Sequence, residues 1–413
     1  MNRFFILLIL TQLWAISSYG QHRVVADVKK SIGELSMTVK SYQDAINKIK
    51  PALTNDETKN NPEAWYVAGK AYFGLYDKYL ATRTIGKKVD TNSMATALLD
   101  GYDCFTHALK IDTIYEVDKK GNPRIDKKTG KPKAKTRFSA DITDRLTRHF
   151  DDFNVMGGEL YNIKQWDGAY RAWQTYLDLA ANPAVNKVVP DSTLGQTYYY
   201  QGIALWQKSD NKEAAAHFAM ARHLGYQKKE AYDYALVCLS AIKDEQGIVK
   251  LAHEAYKVFG VTDPQYARIL INNYINQKQL DEAGKLLDQV MDQQPDDPEL
   301  LNLKGLVVEQ QDGLDKAFQY FKRSVEIDDD NPQSLFNLGR FYYNEATKTA
   351  DANPKMSARA LARKVNPIYR EALPYLEKAY ELDPSNSDAR NALRTIYYKL
   401  GDGKRLDALE RRK

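Results

Sequence analysis

The chain has 413 residues, 43% of them hydrophobic and 27% charged, with a formal net charge of +5. Its length would suit two or three ordinary domains. The charge is uneven: nine Lys or Arg lie between Asp118 and Arg137 against two Asp, an excess larger than that of the whole chain. The remainder is near neutral or slightly acidic, which excludes a general nucleic-acid-binding composition.

In chain order, Met1-Asn2-Arg3 is basic, Phe4 to Ile16 is almost unbroken apolar sequence, and Ser17-Ser18-Tyr19-Gly20 supplies small residues. This is the layout of a secretory signal peptide, with cleavage expected near Gly20-Gln21. The apolar run is shorter than the roughly 20 residues needed to span a bilayer, and no later stretch is long and apolar enough. The expectation is an exported chain, periplasmic or secreted, with no transmembrane span after processing. Residues 21–60 read as a capping helix and linker, in which Asp27 to Leu53 forms one helix without a first partner.

From about Pro62 to Leu400 one 34-residue unit recurs. A first helix carries a large residue, then Gly, then an aromatic; a second carries Ala and an aromatic. "NPEAWYVAGKAYF" and "NPQSLFNLGRFYY" align so that Trp65, Gly69 and Tyr72 match Leu335, Gly339 and Tyr342. Gly157, Gly202 and Gly305 occupy the same close-approach position. Ala169, Ala214, Ala283, Ala317 and Ala372 mark the second helices, with Ile248 in the remaining slot. Asp-Pro pairs at Asp263-Pro264 and Asp383-Pro384 read as closing second helices or their loops, because Pro cannot continue a helix. Neither helix of a pair can bury its apolar stripe alone, so neighbours must stack.

Three segments break the register. Residues 82–93 interrupt the first unit between its helices. Residues 347–366 interrupt the last full unit, with "SARALARKV" read as a short extra helix. Residues 115–138 fall between units. Their Gly-Asn-Pro turn and second Gly-containing turn argue for a projecting basic β-hairpin or loop. It carries Lys119, Lys120, Arg124, Lys127, Lys128, Lys131, Lys133, Lys135 and Arg137. An electrostatic contact with acidic envelope components is expected of it. Residues 401–413 read as a basic tail or partial helix.

The repeat resembles the tetratricopeptide repeat family. The run "ALPYLEKAYELDPSNSDARNALRTIYYKLGD" and the placing of the insertions are similar to exported bacterial members of unassigned function. The resemblance implies an all-α fold: a right-handed superhelical solenoid of about seven helix-turn-helix units over residues 61–400. It also implies that first helices line a concave face. Tyr66, Phe73, Tyr161, Tyr199, Trp206, Arg268, Asn272, Asn302, Phe336, Arg340 and Tyr343 would stand on the free side of those helices and receive a protein or peptide partner. Some members grip a carboxyl terminus with a Lys/Asn clamp. Arg268 and Asn272 fall at two of its slots, but Leu303 stands where the next Asn belongs, so that recognition is not expected.

No residue pattern points to chemistry, and no catalytic, cofactor or metal site is expected. His149 and Asp152 lie three apart on a helix and read as a solvated face; two such ligands do not make a metal site. His253-Glu254 lacks the second His of a zinc-protease helix, and His217 and His223 do not share a face. No phosphate loop or nucleophile elbow occurs. Asp296-Asp297 and Asp328-Asp329-Asp330 fall at repeat junctions, where they cap helix ends. Cys104 and Cys238 sit in separate helical segments and are expected to be unpaired, buried thiols. The function expected is a non-enzymatic interaction scaffold of the cell envelope, the alternative being a glycan-binding module that uses exposed aromatics.

Overall fold

The computed structural model describes residues 20–34, 36–128, 130 and 132–411, and divides between Ile242 and Lys243 into two compact units. The signal segment expected at residues 1–20 lies almost wholly outside the described residues, as does Lys131 of the basic insertion.

The first unit begins with a helix over residues 20–31, α1. It continues through α2 (Val39–Thr54), α3 (Pro62–Thr84), α4 (Thr91–Ile111), β1 (Ile114–Tyr115), β2 (Ala134–Lys135), α5 (Ser139–Arg148), α6 (Phe150–Asn162), α7 (Trp166–Ala180), α8 (Asp191–Gln207), α9 (Asn211–His223) and α10 (Lys229–Ala241). The second contains α11 (Glu245–Phe259), α12 (Pro264–Asn276), α13 (Leu280–Met291), α14 (Pro298–Asp312), α15 (Leu314–Ile327), α16 (Pro332–Asp351), α17 (Ala358–Leu382), α18 (Ser387–Leu400) and α19 (Gly403–Arg411). Each unit is a stack of antiparallel helix pairs, and among the described residues strand structure is confined to the basic insertion.

The pairs interlock at one place. A methyl group added at the first-helix glycine would strike a large side chain of its second helix: Phe105 at Gly69, Trp173 at Gly157, Phe218 at Gly202, Phe321 at Gly305 and Leu376 at Gly339. The partner stands 16 positions on in three pairs (157 to 173, 202 to 218, 305 to 321). It stands 36 or 37 on in the two with an insertion between their helices (69 to 105, 339 to 376). Burying a side chain of this size stabilises by roughly 1.5–3 kcal/mol, so this contact sets the register of each pair.

Local chemistry starts the first helices. Asn61, Asp263, Asp297 and Asn331 each accept a backbone N–H with their side chain at the N-cap, and each is followed by Pro at the first helical position. An Asx cap satisfies an orphan donor, and Pro arrives with its φ already helical. Asp263-Pro264 therefore opens α12 rather than closing the preceding second helix; Asp383 does stand at the end of α17. The turns between paired helices reverse on one left-handed residue: Lys164, Ser209, Lys278 and Gly313.

Four expectations are corrected. Asp27 to Leu53 is not one helix: it breaks after residue 31, and Thr38 caps α2, so the N-terminal end is a helix pair. Residues 82–93 mostly prolong α3 and α4, leaving only 85–90 between them. Residues 347–366 likewise prolong α16 and α17. "SARALARKV" is no separate helix but the opening of α17, capped by Ser357 and running through Pro367. A mid-helix proline forfeits one backbone hydrogen bond; the long α16–α17 contact holds the helix together across it. Residues 403–411 form α19, packed on α18.

Candidate interaction surfaces

The eleven first-helix positions fall at three places in the repeat. Tyr66, Tyr199, Asn302 and Phe336 precede the close-approach glycine by three; Arg340 follows it by one; Phe73, Tyr161, Trp206 and Tyr343 follow it by four. This spacing is one stripe of a helix. In α12 the corresponding site is Ile271, so Arg268 and Asn272 lie on the same stripe.

In the first unit the stripe is largely covered. Phe73 is fully buried, not free: position 101 of α4 is Gly where other second helices have Ala, and the Phe73 ring fills the space, stacking on Phe105 at 5.0 Å. Tyr66 stacks on Phe138 at 4.4 Å and donates its hydroxyl to Asp141 at 2.9 Å. Burial first, and Asp141 second, push that phenol up to about 12. Tyr199 is buried beneath Tyr226, and the Trp206 ring lies 4.9 Å from Tyr234 at 56°. Tyr161 is half-buried among Trp166, Trp173 and Tyr200. The rings offered as sugar platforms are thus spent on one another.

In the second unit α12, α14, α16 and α18 touch in succession, so their stripes form one surface. Arg268 is ion-paired with Asp297 and Glu299. Asn302 is buried and accepts from the Asn337 amide at 2.8 Å. Arg340 pairs bidentately with Glu309, at 2.7 and 2.5 Å, while its Nε, also buried, has no hydrogen-bond partner among the described residues. Asn272 is exposed. Between α16 and α18 an open groove of about 430 Å³ is lined by Phe336, Asn337, Arg340, Tyr343 and Asn344 on one side, and by Asp388, Asn391, Ala392 and Thr395 on the other. Phe336, Arg340 and Tyr343 are therefore brought together. The α18 side was missed, because the sequence register treated that helix as the end of the core.

His149 and Asp152 are not a solvated face. His149 stands between α5 and α6 and is 8% exposed, with Nδ1 2.8 Å from Asp152 and Nε2 3.4 Å from Asp77; the rings of Phe73 and Tyr76 pack against it. Burial raises the Asp77 carboxyl, against the pull of His149. Among the described residues no group of three His, Cys, Asp or Glu is placed to hold a metal ion, and no helix is long and apolar enough to cross a membrane. Cys104 and Cys238 are buried and unpaired; burial pushes their thiols up to about 12 and about 11.

The basic insertion is more than a hairpin. β1 and β2 form an antiparallel stem, with Ile114 opposite Lys135 and Tyr115 opposite Ala134. Beyond it three chain segments meet in a ring of backbone hydrogen bonds: Glu116 N–H to Lys133 O at 2.8 Å, Lys133 N–H to Arg124 O at 2.7 Å and Arg124 N–H to Glu116 O at 2.8 Å. Two leaves leave this junction, bridged at Val117 and Pro123 and at Ile125 and Pro132. Their sequences, "VDKKGNPR" and "IDKKTGKPK", are variants of one motif. In each the Asp side chain accepts the N–H two residues on, of Lys120 and Lys128, and the Gly has positive φ.

Asp112 closes the base. It is fully buried and takes N–H groups from Arg137 at 3.0 Å, Phe138 at 2.8 Å and Ser139 at 3.0 Å, and the Ser139 hydroxyl at 2.9 Å. Burial works to raise this carboxyl, but the N–H groups of Phe138 and Arg137 together with Ser139 outweigh it and hold the group below the usual carboxylate range. The same clamp sets Phe138 on Tyr66. Nothing in the one-dimensional pattern singled out Asp112.

These stacked pairs, with one first-helix surface left open, define a helical-repeat protein. Residues 270–332 match the tetratricopeptide repeat family, and the same glycine interlock recurs before and after that stretch. Comparison with curated proteins gives no match by sequence. Among solved structures, YrrB, described as a TPR protein with an unusual peptide-binding site, is 18% identical; the match covers 47% of this chain and 95% of that one, with a TM-score of 0.35. A TPR repeats protein (BF2334) from Bacteroides fragilis is 17% identical over 61% of this chain and 98% of its own, with a TM-score of 0.29. A monomeric mutant of IFIT1 with Gppp-AAAA is 13% identical over 93% and 77%, with a TM-score of 0.39. The superpositions are loose, and the fold is read from the helix pairs themselves.

Proposed function

We propose that this protein is an exported scaffold that holds a segment of a partner polypeptide in the groove between α16 and α18. The groove itself carries the reading. Phe336 and Tyr343 supply apolar contact of the kind that dominates binding energy. Asn344, Asn391 and Thr395 supply donors and acceptors matched to a peptide backbone. Arg340 is held in place on the groove wall by its bidentate pair with Glu309. Export rests on the layout of residues 1–20. A second contact, with acidic components of the envelope, falls to the basic insertion.

The test is site-specific photo-crosslinking in cells from position 343, with position 323 on the outer side of α15 as control. A polypeptide adduct from 343, absent from 323 and weakened by Asn391→Ala with helicity unchanged, is expected. Equal adducts from both positions, or none from 343, would place the partner elsewhere. The N-terminal residue of the cell-derived protein should be near Gln21; a chain retaining Met1 would sink the export assignment.

A further inference from the structure

We infer that the two-leaf insertion is a docking device for the surface of an anionic lipid bilayer; this rests on the reading that it meets acidic envelope components. The argument begins with its acids. Asp118 and Asp126 are turned inward to the N–H groups of their own turns, and Glu116 is paired with Lys135 at 2.7 Å. Hydrogen bonds to Asn122 and Lys120 hold the Asp118 carboxyl below its ordinary value, and Lys135 does the same for Glu116. Among the described residues, no carboxylate comes within 4.0 Å of Lys119, Lys120, Arg124, Lys127, Lys128 or Lys133, all of them exposed. The acids are used to build the leaves, and the cations are left facing water.

The type of cation and its neighbours choose the occupant. Seven of the nine basic residues are Lys. Lys is a solvated point charge on a flexible stem, suited to a laterally diffuse layer of headgroups; fixed carboxylates or phosphates are better met by the planar fork of Arg. Interleaved with the cations, Ile114, Tyr115, Val117 and Ile125 are 47%, 58%, 51% and 52% exposed. Apolar side chains beside a polybasic patch add buried apolar area to the electrostatic attraction for anionic lipid, and Tyr favours the headgroup level. The duplicated leaf doubles the charge at one hydrogen-bonded junction without lengthening either turn.

The experiment is co-sedimentation of the full chain with vesicles of phosphatidylcholine alone or mixed with phosphatidylglycerol, at low and high salt, with soluble poly-glutamate as a parallel ligand. Wild type should sediment with the mixed vesicles only, and only at low salt, since the Debye length falls to about 3 Å at 1 M. The quadruple variant Lys119→Gln, Lys120→Gln, Lys127→Gln, Lys128→Gln should lose binding at about fivefold per lysine, with circular dichroism unchanged. Val117→Ser with Ile125→Ser should weaken vesicle binding while leaving poly-glutamate binding unaltered. Equal sedimentation of wild type and quadruple variant would overturn the proposal. Binding to poly-glutamate without binding to mixed vesicles would overturn the bilayer assignment and leave the acidic-component reading standing; binding to neither would remove both.

Discussion

Phe73 and Tyr343 hold the same place in the repeat, four residues after the close-approach glycine of their first helices. One is core and the other lines a groove. The cause lies across the pair. In α4 the slot opposite is Gly101, whose missing Cβ leaves room for the Phe73 ring; in α17 the same slot is Ala372, and Tyr343 stays half-buried along the groove. The contrast extends along both stripes. In the first unit Phe138 covers Tyr66 and Tyr226 covers Tyr199, whereas in the second unit α16 and α18 leave an open floor. A repeat position thus stays open at the surface only where its neighbours decline to cover it.

The sharpest way to break this comparison is to truncate both rings. Phe73→Ala should destabilise the chain by roughly 3–5 kcal/mol, as burial and the cavity left behind require. Tyr343→Ala should cost about 1 kcal/mol or less, the usual range for a residue outside the core, while weakening partner capture. Urea denaturation of the two variants checks this; equal losses would mean that the second unit's stripe is core as well.

A smaller effect tests what closes the first unit's stripe. Asp112→Ala strips three part-buried backbone N–H groups and the Ser139 hydroxyl of their acceptor, at a cost of about 1–3 kcal/mol, and should free Phe138 from Tyr66. The sign with pH follows from the depressed carboxyl. Its contribution is fully present above the ordinary carboxylate value of about 3.9 and is lost as pH falls through the lower folded value. The stability gap between wild type and variant should therefore hold at neutral pH and narrow in acid. A gap that widens in acid would show the carboxylate to be a burden to the fold.

The helix pairs were legible because glycine and alanine spacing records close approach, a constraint that sequence states directly. Gly69, Gly157, Gly202, Gly305 and Gly339 all sit where the register placed them, each against a large side chain. The insertions between paired helices were misread as loops or an extra helix. A 34-residue template shows only that residues are extra; whether they prolong two antiparallel helices depends on contact across the pair. The surface was harder still. Phe73 required knowledge of Gly101, Arg268 of Asp297, and Asn302 of Asn337, each 28 to 35 positions away. His149 looked solvated because Asp77, 72 positions earlier, and the rings around it are brought there only by folding.

The finest probe of the interlock needs a single methyl group at each of two adjacent residues. Gly157 and Gly158 lie side by side in α6. An added Cβ at 157 meets the indole of Trp173; at 158 it meets nothing within 4 Å. Trp173 is itself 3% exposed and packed against Tyr161 and Tyr200, so it has little freedom to retreat. Gly157→Ala should therefore destabilise by about 1–3 kcal/mol, the cost of overpacking a filled site. Gly158→Ala should do the opposite. Its backbone is helical, so alanine removes only the extra freedom that glycine has in the unfolded chain, worth roughly 0.5–1 kcal/mol in a helix interior. Thermal melts of the two single variants should move in opposite directions. If both fall, α6 is rotated about its axis relative to α7; if both rise, Trp173 does not seat on this helix at all.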